Sequence, residues 1–226
     1  AYNGSIRIVG VCKVRGIFIT IEGPDGSGKT TALQQVVPRL QQEMNRKVVA
    51  TREPGGSPIA EKIRSLILDP SHTDMDSRTE ALLYAASRRQ HLIEKVLPVL
   101  ESGDVIFCDR FVDSSIAYQG YARGIGEEGI REINQFATEG IEPDVTLYID
   151  VPAEVGIQRI HANLDEREYN RLDQEKLAFH EKVRAGYLQL AKANPERIVV
   201  VDGTMSREEV AEACYHIIKN RYPSYF

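Results

Sequence analysis

The feature that most constrains this chain is a short apolar run followed at once by a glycine-rich segment. Residues 16–22 read Gly-Ile-Phe-Ile-Thr-Ile-Glu, and the pattern Gly23-x4-Gly28-Lys29-Thr30 comes next. A short β-branched run predicts a buried parallel strand, and the residues from Thr31 onward predict a helix. Glycines between the two let successive backbone N–H groups turn inward, where the helix start adds partial positive charge. The segment therefore predicts a nucleotide phosphate site.

Within this segment, two side chains have a defined chemical task. Lys29 would reach the β- and γ-phosphates, and the Thr30 hydroxyl would ligate Mg²⁺. An ordinary glycine-rich turn is the alternative, and the strand before the segment and the helix after it argue against that alternative. The residues expected to surround the donor nucleotide are Gly23, Pro24, Asp25, Gly26, Ser27, Gly28, Lys29, Thr30 and Thr31.

Length and charge narrow the class of protein. The 226 residues fit one α/β domain or a domain with a mobile insert, and we expect one domain over residues 16–226. Residues 1–15 would be an extension of unknown role, with a possible edge strand at Ser5 to Val11. The net charge of −5 argues against a broad nucleic-acid or membrane surface, because such binding needs clustered Lys and Arg. No apolar stretch approaches the ~20 residues that span a bilayer and no signal peptide is visible, so we expect a cytoplasmic protein.

The cysteines and histidines indicate neither a disulfide framework nor a zinc site. Cys12, Cys108 and Cys214 lie far apart, without a Cys-x-x-Cys motif. The five histidines show no metal-ligand spacing. We expect buried, inert cysteines and structural or surface histidines.

Strand-like runs alternate with helical patterns along the chain. This alternation predicts a parallel sheet with helices on both faces. After the first run, strands are predicted at Lys47 to Thr51, Asp104 to Cys108, Val145 to Val151 and Arg197 to Val201. Amphipathic helices are predicted at Ile130 to Phe136, Val155 to Ile160, Leu177 to Leu190 and Glu208 to Ile218.

A longer helix is predicted from about Arg78 to Glu101. Its apolar residues cover more of the helix surface than the single narrow stripe that would face the core of one subunit. We therefore expect part of this helix to pack against a partner subunit. Pro98 lies inside it and predicts a kink or an early end.

Charged residues follow two of the predicted strands. Arg52 and Glu53 end the second strand, and Asp109 and Arg110 end the third. Parallel α/β sheets bind ligands beyond the carboxyl ends of their strands, so Asp109 is a candidate Mg²⁺ ligand, direct or through water. Two arginines in one crevice would suit a second phosphate. A helix cap or ion pair for Asp109, and surface ion pairs for the arginines, are the alternatives.

The region from about His161 to Gln174 is charged and lacks apolar periodicity. It predicts a lid over residues 161–174, although such runs are also typical of a solvated surface. Phosphoryl transfer needs water excluded and a cation at the equatorial oxygens of the transferred group. Arg167 and Arg171 are the candidates for that cation.

Three classes of protein use such a phosphate loop: a small-molecule kinase, a GTPase-type switch, and an ATPase motor or transport subunit. No Asn-Lys-x-Asp is present to read guanine, and Asp109 is followed by Arg-Phe-Val rather than x-x-Gly. A motor would normally need a longer chain. A second anion pocket facing the loop favours a nucleotide or metabolite kinase.

Several further motifs cover nearly the whole chain from Gly16 onward. They are Glu22-Gly-Pro-Asp-Gly-Ser-Gly-Lys-Thr-Thr31, Thr51-Arg-Glu-Pro-Gly-Gly56, Ala85-Ala-Ser-Arg-Arg-Gln-His91, Asp109-Arg-Phe-Val-Asp-Ser-Ser115, Ala117-Tyr-Gln-Gly-Tyr-Ala-Arg-Gly124 and Asn170-Arg-Leu-Asp-Gln174. In this order they resemble the bacterial thymidylate kinases. The resemblance implies an α/β fold of the P-loop nucleoside monophosphate kinase type, with a five-stranded parallel sheet and a mobile lid. It also implies ATP with Mg²⁺ as donor, dTMP as acceptor, dTDP as product, and a homodimer.

The resemblance also assigns roles in the acceptor site. Arg52, Arg64 and Arg110 would hold the dTMP phosphate, with Glu53 beside them. Asp25 would face the sugar 3′-hydroxyl or the metal. The residues around the nucleoside would be Tyr84 stacking on thymine, Arg88 donating to O4, Gln119 at the base edge with Ser115 nearby, and Tyr118 crowding the sugar C2 position.

The phosphate loop carries no Arg between Gly23 and Lys29, unlike the eukaryotic branch of the family. The resemblance then implies that the lid supplies the catalytic arginine. We expect Arg167 to stabilise transition-state charge, and Arg171 to share in lid closure or nucleotide contact. A kinase for another nucleoside monophosphate or for a deoxynucleoside, and a nucleotide-binding switch without enzymatic activity, are the alternative functions.

Overall fold

The computed structural model describes residues 15–162 and 170–226, and its centre is a parallel sheet of five strands in the order β2-β3-β1-β4-β5. The strands are β1 (Phe18–Glu22), β2 (Val48–Arg52), β3 (Val105–Asp109), β4 (Val145–Asp150) and β5 (Ile198–Asp202). All five predicted strands are confirmed, as is their parallel arrangement. The possible edge strand at Ser5 to Val11 lies outside the described residues.

Helices cover both faces of the sheet, as predicted. They are α1 (Lys29–Glu43), α2 (Pro58–Leu68), α3 (Ser77–His91), α4 (Leu97–Glu101), α5 (Val112–Ser115), α6 (Glu127–Thr138), α7 (Ala153–Ala162), α8 (Leu177–Ala193) and α9 (Arg207–Arg221). On one face, Ile19 and Ile21 of β1 pack with residues of α1 and α9. On the other, Phe18 packs with residues that follow α3. Alternate residues of a strand face opposite sides, so β1 must be apolar on both.

The long helix predicted from Arg78 to Glu101 is present with one irregularity. A π-helical turn, Leu92–Val96, joins α3 to α4. Pro98 has no N–H to donate, so a locally widened turn just before it lets the helical path continue. The helix therefore reaches Glu101. Two features were not predicted from the sequence: the helix α2, and a second π-helical turn, Ile116–Ala122, which follows α5.

Strand register brings the predicted charged residues to one edge of the sheet. Asp109 pairs with Ile21 on one side and with Arg52 on the other. Glu22, the last residue of β1, pairs with Tyr148 of β4. Because all strands are parallel, their carboxyl ends meet where the glycine-rich segment begins.

The predicted buried role of the cysteines is confirmed for Cys108 and Cys214, which have no accessible surface. Cys12 lies outside the described residues. Within those residues, no helix is both long enough and apolar enough to cross a membrane.

Candidate active site

The glycine-rich segment forms a tight loop between β1 and α1. Gly23, Gly26 and Gly28 all have positive φ. A Cβ at Gly23 would lie 2.6 Å from the Ile149 carbonyl oxygen, and one at Gly26 would lie 2.1 Å from that of Gly156. At Gly28, no described atom lies within 4 Å of the Cβ position. The bare backbone therefore faces an open space at the positive end of α1, which is the geometry of an anion site.

Lys29 is buried at the start of α1. Its Nζ donates to the carbonyl oxygens of Gly23 and Pro24, each at 2.9 Å. Burial, and then the positive charge of Arg110, lower the pKa of Lys29 to about 8. A phosphate in the loop would oppose both effects, because an adjacent anion favours the charged ammonium.

Two buried oxygens beside the loop have no hydrogen-bond partner among the described residues, Ser27 Oγ and Asp109 Oδ1. Buried polar atoms in native proteins are normally satisfied by protein groups, water or a ligand, so these two oxygens are available to a group bound at the loop. Mg²⁺ is bound by oxygen and commonly takes one or two carboxylates with water and substrate phosphates. The Asp109 carboxylate and the exposed Thr30 hydroxyl at the loop are donors of that kind, so the residues present fit Mg²⁺. Across the described ranges, no group of three or more His, Cys, Asp or Glu side chains is arranged to hold a metal ion.

Arg110 connects the loop to the region beside it. Its backbone is left-handed, with φ 69°. The guanidinium donates to the Gly23 carbonyl oxygen at 3.1 Å and to the Asp25 carboxylate at 2.5 Å. It also lies over the ring of Tyr118, 5.2 Å from the centroid.

Two further arginines meet at one carbonyl. Arg52 donates to the Pro54 oxygen at 2.8 Å and Arg64 donates to the same oxygen at 3.1 Å. Arg52 also pairs with Glu61 at 3.0 Å. Pattern reasoning from strand ends found Arg52 and Arg110, but Arg64, which lies in α2, was found only through the family resemblance.

A cavity of about 100 Å³ lies beside the loop, and both Arg64 and Arg110 line it. Among the described residues that line it, Arg52 is not included. The side chains that line it come from distant parts of the chain, including Leu68, Asn170 and Leu172. The predicted acceptor residues among its lining are Asp25, Glu53, Arg64, Tyr84, Arg110, Ser115, Tyr118 and Gln119. Burial raises the pKa of both Tyr84 and Tyr118, so both remain neutral phenols. A larger cavity, of about 470 Å³, lies elsewhere, beside α6 and Arg197.

Arg88 lies behind this lining and is almost completely buried. It donates to Glu53 at 2.7 Å, to Ser115 Oγ at 3.0 Å and to the Phe111 carbonyl oxygen at 2.9 Å, and it also contacts Asn134. Two of these partners, Glu53 and Ser115, line the cavity. A guanidinium has five N–H donors in a fixed plane, so these contacts hold both its position and its orientation.

Gln119 and Arg171 share one partner, the buried carboxylate of Glu80. The Gln119 amide nitrogen donates to it at 2.8 Å. Arg171 donates to it as well, and also to the Ile67 carbonyl oxygen at 3.0 Å. Arg171 is therefore turned inward in this structure. Residues 163–169 of the predicted lid, Arg167 among them, lie outside the described residues. At the two ends of the lid, His161 and Ala162 close α7, and Arg171–Gln174 form a 3₁₀ turn.

Sequence reasoning assigned no role to Glu22, although it stands directly before the loop. It is fully buried and accepts from the Phe111 N–H at 2.6 Å and the Tyr187 hydroxyl at 2.8 Å. Burial, and then the charge of Asp113, raise the pKa of Glu22 to about 7. A carboxylate at the end of an otherwise apolar strand was the signal that could have identified it.

Similarity to known proteins shows the family to which this chain belongs. A sequence model described as thymidylate kinase matches residues 21–214. The chain belongs to the thymidylate kinase family. A thymidylate kinase of Enterococcus faecalis is 58% identical over 213 residues, covering 94% of this chain and 100% of that protein. One of Lacticaseibacillus casei is 56% identical over 211 residues, covering 93% and 99%. A solved thymidylate kinase structure from Ehrlichia chaffeensis matches with a TM-score of 0.73 and 33% identity, covering 91% of this chain and 99% of that one.

Proposed function

We propose that this chain transfers the γ-phosphoryl group of ATP to dTMP, giving ADP and dTDP for dTTP synthesis. The observation that carries the proposal is the position of Arg110. One side chain donates to a carbonyl of the phosphate loop and also lines the neighbouring cavity. A donor bound in the loop and an acceptor bound in the cavity would therefore share a wall, as in-line transfer requires.

The donor side consists of the loop from Gly23 to Thr31. Its backbone amides would bind the phosphates, and Lys29 would leave its two carbonyl partners for phosphate oxygens. Thr30 and Asp109 would hold Mg²⁺, which when bound neutralises charge on the phosphates. The orphan Asp109 oxygen supports this assignment.

The acceptor side consists of the cavity. Arg52, Arg64 and Arg110 would hold the dTMP phosphate, since guanidinium groups bind such oxygens in pairs. Tyr84 would stack on the base, and Tyr118 would crowd the sugar C2 position and disfavour a ribose.

The base edge would be read by polar groups at the end of the cavity. Arg88 would donate to thymine O4, with Ser115 nearby. Gln119 would contact the remaining polar groups at the edge of the base. Glu53 would act by holding Arg88 in place, because the two form a buried ion pair at 2.7 Å. Asp25 would serve either the sugar 3′-hydroxyl or the metal.

Little covalent work remains for the protein. A dianionic phosphate attacks without a strong base, so catalysis would come from alignment and from neutralising charge. Lys29 would supply one cation. Arg167 would supply the second, with Arg171 sharing in closure or nucleotide contact.

A homodimer completes the proposal. The helix α3 packs against both α2 and α6, and all three helices expose large apolar side chains. These are Ile59, Leu66, Leu82 and Phe136, the last 89% exposed. Large exposed apolar side chains on neighbouring helices are typical of a subunit interface. The cytoplasmic location expected from the sequence stays a prediction.

A coupled assay tests the activity. MgATP is offered with dTMP, dUMP, UMP, CMP, AMP or thymidine, and we expect turnover to be fastest with dTMP. A faster reaction with a different acceptor would indicate a different kinase. Slow hydrolysis at the same rate with every acceptor would indicate a nucleotide-binding switch.

A further inference from the structure

Glu80, in the first turn of α3, is a carboxylate with 1% of its surface exposed. It accepts hydrogen bonds from Gln119 at 2.8 Å and from Arg123 at 3.2 and 3.3 Å, and also from Arg171. Burial alone would raise the pKa of Glu80, but Arg123, Arg171 and Gln119 together hold it below its ordinary value. Glu80 is therefore charged, and an ionised carboxylate can only accept hydrogen bonds.

This fixes the orientation of the Gln119 amide. The side chain has a donor end, the NH₂ group, and an acceptor end, the carbonyl oxygen. Only the donor end can face the Glu80 carboxylate, so Oε1 is the end left for a ligand in the cavity that Gln119 lines. The assignment follows from the chemistry of the partner rather than from the shape of the amide, whose two ends are nearly identical.

We propose that Glu80 is a positioning residue that sets the base specificity of the acceptor site, by holding the Gln119 carbonyl oxygen toward the base. The proposal rests on the proposed function. Thymine carries a donor at N3, which matches an acceptor from the protein. Cytosine carries an acceptor at N3, which would face the Gln119 oxygen without a proton between them. A buried mismatch of this kind leaves polar groups unsatisfied and rejects the ligand.

The same chemistry limits the bases between which Glu80 can discriminate. Uracil has the same N3–H as thymine, so Glu80 contributes nothing to discrimination between these two bases. Its effect is confined to bases that lack a donor at N3.

The test compares dTMP with dCMP in the Glu80→Gln variant. The new carboxamide donates as well as accepts, so the Gln119 amide is free to turn. We expect the ratio of kcat/KM for dTMP to that for dCMP to fall at least tenfold, mainly through KM. Disturbance of Arg171 or of the fold would lower both reactions together and leave the ratio unchanged. An unchanged ratio in the folded variant would overturn the proposal.

Glu175→Gln is the matched control. Glu175 also forms an ion pair with Arg123, at 2.6 Å, and its substitution by Gln removes one negative charge, as Glu80→Gln does. Gln119 keeps its partner Glu80 in this variant, so we expect the dTMP to dCMP ratio of the wild type. Should Glu175→Gln change the ratio as much as Glu80→Gln, the effect would belong to the charge network and the proposal would fail.

Two measurements decide the matter if Glu80→Gln does not fold. The double variant Glu80→Gln with Gln119→Glu exchanges the two groups and still presents an oxygen to the base, so it should retain the preference for dTMP. The wild type should bind 3-deaza-dTMP, which has C–H in place of N3–H and a hydroxyl in place of the C4 carbonyl, at least tenfold more weakly than dTMP. Equal binding of the two by the wild type would overturn the proposal whether or not either variant folds.

These outcomes are distinct from failure of the proposed function. A wild type that does not phosphorylate dTMP refutes the function itself. A wild type that does so, together with an unchanged ratio in Glu80→Gln, refutes only the role of Glu80.

Discussion

The phosphate loop and the acceptor cavity lie side by side but are built in different ways. The loop is one contiguous segment, Gly23 to Thr31, and the groups that we propose to bind phosphate are mainly backbone amides at glycines with positive φ. The cavity is lined by side chains from Asp25 to Leu172, brought together by folding. A site made of local backbone can be recognised from a short stretch of sequence. A site made of distant side chains depends on the whole packing arrangement.

The largest expected effect tests the loop. We predict that Lys29→Ala lowers turnover by ~10³ to 10⁵, the worth of a cation that stabilises charge in phosphoryl transfer. The melting temperature should stay near that of the wild type, because the hydrogen bonds that the side chain makes among the described residues are to two loop carbonyls, and burial of its charge is itself unfavourable. Steady-state rates and thermal melts check this, with the exposed Lys192→Ala as control. Near wild-type turnover in purified Lys29→Ala would show that the loop is not the donor site.

The lid arginines come next. We predict a loss of ~10³ in single-turnover rate for Arg167→Ala. The loss for Arg171→Ala should be smaller and accompanied by a lower melting temperature, since Arg171 donates to Glu80 and to Ile67 within the fold. Unchanged rates in both variants would remove the lid from the mechanism.

A smaller effect separates the two sites. Arg64 contacts Pro54 and lines the cavity, away from the loop. We predict that Arg64→Ala raises KM for dTMP by about 10- to 100-fold, the value of a charged hydrogen bond, and leaves KM for ATP unchanged. Arg78→Ala, on the exposed start of α3, is the control. An equal rise in both KM values would mean that the two sites are not separable in this way.

The smallest expected effect is on stability and concerns Glu22, which ends β1 directly before the loop and accepts from Ser114 of the cavity lining. Its pKa of about 7 exceeds the ordinary value of 4.5, so the folded protein binds the proton more tightly than the unfolded chain. This contribution to stability is complete below about pH 4.5 and is lost as the pH rises through 7, by up to about 3 kcal/mol. Urea unfolding from pH 5.5 to 8 should show a decline in the wild type that Glu22→Gln lacks. Parallel pH profiles would contradict the assignment.

The sequence predicted features that are made of neighbouring residues, like the loop, better than features that are made of distant residues, like the cavity. Runs of apolar residues located all five strands, and Gly23-x4-Gly28-Lys29-Thr30 located the loop, because these signals lie within windows of a few residues. The helix α2, which carries Arg64, was not predicted: it starts at Pro58, shortly after Pro54, Gly55 and Gly56, and local signals of this kind favour a turn. Arg171 was expected in a mobile lid, and its inward contact with Glu80 depends on a residue far away in the chain.

What the sequence determined by itself is therefore the alternation of strands and helices and the backbone cradle at Gly23 to Lys29, both of which depend on local periodicity and on the conformational freedom of glycine. Tertiary structure alone decided which donors each buried carboxylate meets: Glu80 accepts from Gln119, Arg123 and Arg171, and Glu22 accepts from Phe111 and Tyr187. The physical reason is that a buried carboxylate must find donors wherever packing places them, and nothing in the neighbouring residues specifies that place.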